Sequence, residues 1–276
     1  MPLLNEISYS RDTVVAAVRD YYGFLVDMYL PESQVLQAPD GGWPSITSDT
    51  WTDFGKSDEV IALLRRLPYI SNTNYEEADG APECKFADWQ SLTRITDGRQ
   101  VKILTEIDAD EGDVPAHVVG LTLRQRDVPS VILLDTELGL VYWPDCPGPI
   151  KYNPAREQLM DDPYDWASVP GAEWRSGSAI WAVEDFFEVL KFYFRQLEFV
   201  PLSARVVRDV WTGVDDGQDD NEGMLPAVQG IYRSHGWPDL ARYRKRDCLE
   251  AVKAMLQERF PDEAEEFEDE EDAEED

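Results

Sequence analysis

The chain has 276 residues, of which 43% are hydrophobic and 29% charged, with 25 lysines and arginines against 56 aspartates and glutamates. That length and apolar content suffice to bury a substantial core, in one large domain or two small ones, and we read one domain with a short appendix. A formal charge of −31 excludes nucleic-acid recognition through direct phosphate contact, because that affinity comes from lysine and arginine displacing counterions.

The opening "MPLLNEISYS" lacks the basic-then-apolar layout of a signal peptide, and no run approaches the about eighteen consecutive apolar residues of a membrane helix. A cytoplasmic location without membrane association is the expectation, with the nucleus as alternative. The three cysteines, Cys84, Cys146 and Cys248, are far apart and odd in number, so they read as buried thiols rather than a disulfide framework or a zinc site.

The first predicted element is a helix in "SRDTVVAAVRDYYGFLVDMYL". Val14, Val15, Val18, Tyr22, Leu25, Val26 and Tyr29 follow the 3,4 spacing, Ser10 or Asp12 can cap, and Pro31 stops it. Pro39, Gly41, Gly42 and Pro44 then make a turn, and "SDEVIALLRRLPYI" predicts a second helix capped by Ser57 and closed by Pro68. After a polar stretch from Ser71 to Ala87, "RQVKILTEI" and "HVVGLTLRQ" have β-branched, alternating character and predict strands flanking an acidic loop. "SVILLDTELGLVYWP" predicts a hairpin with Ile132, Leu134 and Tyr142 in the core.

Residues 144–177 are rich in proline and aromatics and predict an ordered but irregular excursion. "SGSAIW" reads as a turn capping the helix "AVEDFFEVLKFYFRQLEFVPL", whose apolar stripe runs Val183, Phe186, Phe187, Leu190, Phe194 and Leu197. "SARVVRDVW" extends or follows it. Residues 213–223 form an acidic, glycine-rich linker, and residues 224–261 a helical appendix docking partly through Leu249, Val252 and Leu256. Residues 262–276 carry twelve acidic side chains and no basic one, the composition of a disordered tail. Residues 1–212 are the predicted α+β domain.

Catalytic chemistry finds little footing. The two histidines, His117 and His235, have no partner at metal-ligand spacing. A G-x-S-x-G elbow is missing, "DGGWP" lacks the order of a phosphate-binding loop, and "DADEGD" is too short for a calcium loop. No catalytic residue, metal or cofactor is assigned. Nine tryptophans remain, several beside proline; most such rings pin loops, and a half-exposed one is a favoured binding anchor. The candidate partner or ligand contacts are Trp43, Trp51, Trp143, Tyr152, Trp166 and Trp174.

The order of these elements resembles the Smi1/Knr4-like, or SUKH, superfamily. "FLVDMYLP" ending the first helix, "VILLDTELGLVYWPD" and "AVEDFFEVLKFY" stand where that family has a helix, an apolar–glycine–"VYY"-like strand pair and a "SFxxFL" helix. "GGWPSIT" with "GKSDEVIALLRRLPYI" looks like the opening of fungal members. Leu30-Pro31 leads here to "DGGWP", where the family has an "NG" turn. The resemblance implies an α+β fold with a single antiparallel or mixed sheet flanked by helices, used as a scaffold for binding proteins, with no catalytic residues. The functional expectation is a non-enzymatic cytosolic interaction module whose acidic surface and tail recognise a basic protein partner. The alternatives are a small-molecule-binding protein or enzyme with an aromatic pocket around Trp143, Tyr152, Trp166 and Trp174, and a subunit of a homo-oligomer.

Overall fold

A computed structural model describes residues 2–71, 78–107, 114–124, 131–153, 157–212 and 223–268. Residues 108–113 of the acidic loop predicted from Asp108 to Pro115, most of the predicted linker and residues 269–276 of the tail lie outside the described residues.

Eleven α-helices occur among the described residues: α1 (Arg11–Met28), α2 (Asp58–Leu64), α3 (Trp89–Leu92), α4 (Gly98–Thr105), α5 (Gly148–Lys151), α6 (Pro163–Trp166), α7 (Val169–Gly177), α8 (Val183–Gln196), α9 (Met224–Ser234), α10 (Lys245–Arg259) and α11 (Pro261–Glu268). The strands are β1 (Val35–Leu36), β2 (Tyr69–Ile70), β3 (Val118–Gly120), β4 (Leu133–Asp135), β5 (Leu140–Trp143), β6 (Ala179–Ala182), β7 (Phe199–Pro201) and β8 (Val207–Asp209). The mixed α+β class holds. The expected single sheet does not: among the described residues the strands form three separate sheets, a four-stranded one in the order β3-β4-β5-β6 and two-stranded β1-β2 and β7-β8.

The chain divides into two compact units, and both α1 and α8 contribute to each. The first comprises Met1–Tyr21, Leu36–Tyr69 and Phe86–Val189. Its centre is the predicted hairpin, with Leu134 opposite Val141 and Leu133 opposite Tyr142. Alternation predicted one buried face, yet Val131 to Leu134 and Leu140 to Trp143 are buried throughout. Both faces are covered. Leu133, Tyr142 and Ile180 pack with Leu159 and Trp174 on one side, while Trp143 and Trp181 bring their rings 6.3 and 6.1 Å from Phe186 of α8.

Two predicted elements of this unit are corrected. "RQVKILTEI" is the helix α4 rather than a strand: the Asp97 carboxylate accepts from Arg99 N at 2.9 Å as its cap, and Gly98, Val101 and Thr105 share the buried side. "SAIW" is the edge strand β6, paired with β5 from Leu140–Ala182 to Trp143–Ala179, rather than a turn. The excursion also contains three helices, α5 to α7, each begun by a proline at its first turn, where the missing N–H costs nothing.

The second unit comprises Tyr22–Val35, Ile70–Lys85 and Leu190–Asp276. "EFVP" and "VRD" pair here as β7 and β8, where an extended helix was one expectation. Helix α8 ends at Gln196, and the next residue, Leu197 with a φ of 60°, turns the chain out so that Glu198 N donates to Tyr193 O at 2.9 Å.

The appendix satisfies helix ends that would otherwise leave carbonyls without donors. Lys245 Nζ donates to Val26 O at 2.6 Å and Leu30 O at 2.7 Å, and Tyr243 OH to Met28 O at 2.8 Å, which closes the last turn of α1. Trp237 Nε1 donates to Phe194 O of α8 at 3.1 Å. Val252 and Leu256 of α10 are buried as predicted, joined by Cys248, while Leu249 is half-buried. The tail, predicted to be disordered, begins as the helix α11, anchored by buried Ala264.

Candidate functional site

Asp12, Val15, Ala16 and Arg19 stand at i, i+3, i+4 and i+7 of α1 and so share one face of the helix. Opposite them runs the turn of residues 38–42. Gly41 and Gly42 both take the left-handed conformation, with φ of +88° and +82°, which glycine alone adopts at little cost. Gly42 N donates to Pro39 O at 2.8 Å, and Trp43 N to Arg65 O at 2.8 Å, tying the turn to the end of α2. The approach is close: a Cβ on Gly42 would lie 2.5 Å from Arg65 O.

Between helix face and turn lies a cavity of about 550 Å³, with Arg66 also on its wall. Its lining combines Val15, Ala16, Ala38 and Pro39 with the charged side chains of Asp12, Arg19, Asp40 and Arg66. Arg66 Nη1 and Asp12 Oδ1 are 3.6 Å apart with side chains 55% and 84% exposed, a pair held loosely enough to open for a ligand. Arg19 Nε donates to Gln37 Oε1 at 3.3 Å.

A firmer contact fixes the wall. Arg11 Nε and Nη2 reach the two oxygens of Glu59 at 2.8 and 2.5 Å, and Tyr9 OH donates to Glu59 Oε1 at 2.7 Å, fastening the start of α1 to α2. The Arg11 hydrogen bond holds the Glu59 carboxyl below its ordinary range.

Of the predicted contact residues, none lines this cavity. Trp43 is half-buried, donates Nε1 to Leu67 O at 2.9 Å and lies 5.8 Å from the Tyr69 ring. Trp51 is buried, donates to Leu92 O at 3.1 Å and packs with Phe54 and Trp89. Trp143 is buried against α8. Tyr152, 77% exposed, is the one that faces solvent.

Trp166 and Trp174 do come together, around a cation. The Arg175 guanidinium carbon lies 4.2 Å from the Trp174 ring centroid, 5.2 Å from Tyr142 and 5.6 Å from Trp166. Arg175 Nη1 donates to Gly171 O at 2.9 Å, and Nη2 lies 3.8 Å from Oδ2 of fully buried Asp135. Asp135 Oδ1 accepts from Glu137 N and Leu138 N, both at 2.9 Å, and Oδ2 from Tyr142 OH at 3.1 Å. Burial beside Asp135 pushes the Tyr142 hydroxyl pKa up. His117 stands at the rim, its Nε2 3.7 Å from Asp135 and its Nδ1 3.4 Å from Glu137. This cluster is a structural tie between the hairpin turn and α7.

Sequence reasoning missed the cavity residues. The signal was the charged pair Asp12 and Arg19 bracketing small Ala16 on α1, beside a double glycine. Among the described residues, no group of three histidine, cysteine or acidic side chains stands as a metal site, and no helix is long and apolar enough to cross a membrane. No protein-family model, curated protein or solved structure matches the chain.

Proposed function

We propose that this chain is a non-enzymatic intracellular interaction module, SUKH-like in type, that binds a basic protein partner through its acidic surface. The observation that carries the reading is the cavity beside α1. A lining that combines small apolar side chains with charged groups of both signs suits a short peptide segment, and exposed Asp12, paired only loosely, and exposed Asp40 offer carboxylates to a lysine or arginine of that segment. The surplus of acidic residues supports it from a distance, since a field of one sign raises encounter rates with partners of the other. Another concentration of acid lies at the start of α8, where exposed Glu184 and Asp185 are joined by Glu157, whose charge adds to burial in raising the Asp185 pKa.

The test is capture of partners from native lysate by the full chain and by an Asp12→Lys/Asp40→Lys variant, at low and high salt. The reading predicts a protein retained at low salt, weakened by salt and lost from the variant. A retained protein indifferent to both salt and the two substitutions would overturn it, as would the retention of no protein at all.

A further inference from the structure

Among the described residues seven large hydrophobic side chains are exposed, and five of them belong to one part of the first unit. Tyr152, Met160, Tyr164 and Val169 lie within residues 152–169. Leu3 belongs to the N-terminal segment bound to them, where Met160 N donates to Pro2 O at 3.3 Å and Leu4 N to Asp161 Oδ2 at 2.7 Å. Close neighbours in the chain face the other way: Leu4, Leu159 and Trp166 join the core around Leu133 and Tyr142, while Leu3, Met160 and Tyr164 stay outside. Apolar side chains of this size left in water forgo the gain of burial, and their concentration on one surface marks an interaction site.

The backbone beneath them is fixed. Tyr164 N donates to Oδ1 of Asp162, the cap of α6, at 3.0 Å. Leu159 N donates to Ile180 O at 2.9 Å and Ile180 N to Gln158 Oε1 at 3.1 Å, so residues 158 and 159 occupy the outer edge of β6. An extended peptide therefore cannot add to the sheet at this edge, and a partner must dock through side chains. Held in place in this way, the surface gives up little conformational entropy on binding.

The charge around it has one sign. Residues 157–173 hold five acids, Glu157, Asp161, Asp162, Asp165 and Glu173, and no lysine or arginine. Glu173 stands at i+4 from Val169 on α7 and so shares its face. Asp162, Asp165 and Glu173 are exposed, as is Glu6, whose carboxylate accepts from Leu3 N at 2.9 Å. A second copy of this chain would set acid against acid across the patch, and an anionic membrane or a nucleic acid would meet the same repulsion.

We infer that Leu3, Met160, Tyr164 and Val169 form a docking surface for a basic amphipathic helix of a protein partner. Apolar side chains three and four residues apart on that helix cover the patch, and lysines or arginines on its flanks meet Asp162, Asp165 and Glu173. Tyrosine supplies a large contact at an interface, and methionine adapts its shape to a partner. The inference rests on the proposed reading of a basic partner, yet it shares no residue with the cavity beside α1.

The experiment is fluorescence anisotropy of the full chain with a labelled leucine–lysine peptide patterned as an amphipathic helix, against a peptide of the same composition in scrambled order. The scrambled peptide reports attraction by charge alone, at the cavity or elsewhere. Met160→Gln/Tyr164→Gln changes two exposed side chains and keeps the circular dichroism and melting temperature of the wild type. The inference predicts that the patterned peptide binds the wild type about tenfold more tightly than the scrambled one, as expected for the added burial of apolar side chains. That preference disappears in Met160→Gln/Tyr164→Gln and persists in Asp12→Lys/Asp40→Lys, so it stands or falls separately from the cavity. Equal binding of the two peptides to the wild type overturns the inference, as does a preference that survives Met160→Gln/Tyr164→Gln or is lost only from Asp12→Lys/Asp40→Lys. Sedimentation showing a wild-type dimer that Met160→Gln/Tyr164→Gln dissociates would also overturn it, since the occupant would then be a second copy.

Discussion

Lys56 and Glu106 make the sharpest stability prediction. Their side chains are 0% and 7% exposed, and Nζ lies 2.7 Å from Oε1. Lys56 Nζ also donates to Pro115 O at 3.2 Å. Burial lowers the lysine pKa and raises that of the glutamate, in each case outweighing the attraction of the partner. The signs follow. A lysine with a depressed folded pKa weakens the fold at pH below that value, and a glutamate with a raised one weakens it at pH above. At neutral pH both penalties are present together, so ionisation of the pair does not strengthen the fold. Removing one partner is worse still, because it strands the other. Lys56→Met should therefore cost about 3 to 5 kcal/mol, toward the lower end because Lys102 still faces Glu106. Lys56→Met/Glu106→Leu should return to wild-type stability or exceed it by up to about 4 kcal/mol. The assay is urea unfolding at pH 7 followed by tryptophan fluorescence and circular dichroism together. A double variant as unstable as the single one would refute the reasoning, since it would mean the pair itself holds the fold.

Further outcomes follow from the same structure. Lys245→Met removes the donor to Val26 O and Leu30 O and should cost about 1 to 3 kcal/mol, with faster amide exchange at the end of α1. Gly42→Ala meets both a φ of +82° and Arg65 O at 2.5 Å, so it should lower the melting temperature clearly more than Gly41→Ala, whose added Cβ finds open space. Trp174→Ala opens the core beneath Arg175 and should cost about 3 to 5 kcal/mol in urea unfolding, whereas Tyr152→Ala, at a 77% exposed site, should stay within about 0.5 kcal/mol.

Elements whose signals are local were legible in the sequence. Helix α2 follows from Ser57, whose hydroxyl accepts from Val60 N, and from Pro68; α8 follows from its apolar stripe, and the hairpin from two apolar runs around "DTELG". The errors came where a tertiary partner decided the outcome. Val101, Ile103 and Leu104 look like a strand, but the Asp97 cap and a buried Val101 beside a 67% exposed Ile103 are a helix's pattern. Strand β6 has only four residues and is defined by pairing with β5. Tryptophans were visible as anchors without their surroundings: what fills the space beside Trp166 and Trp174 is Arg175, a cation no spacing rule assigns to an aromatic cluster. The cavity depends on residues 38–42 meeting α1, a contact between segments some twenty residues apart that periodicity does not encode.

Hydrogen exchange of the full chain with and without a captured basic partner tests the central proposal most directly. Binding at the cavity predicts slowed exchange at residues 38–43 and in the first half of α1, absent from the Asp12→Lys/Asp40→Lys variant. Protection confined to other segments, with the turn and α1 exchanging as in the free protein, would contradict it.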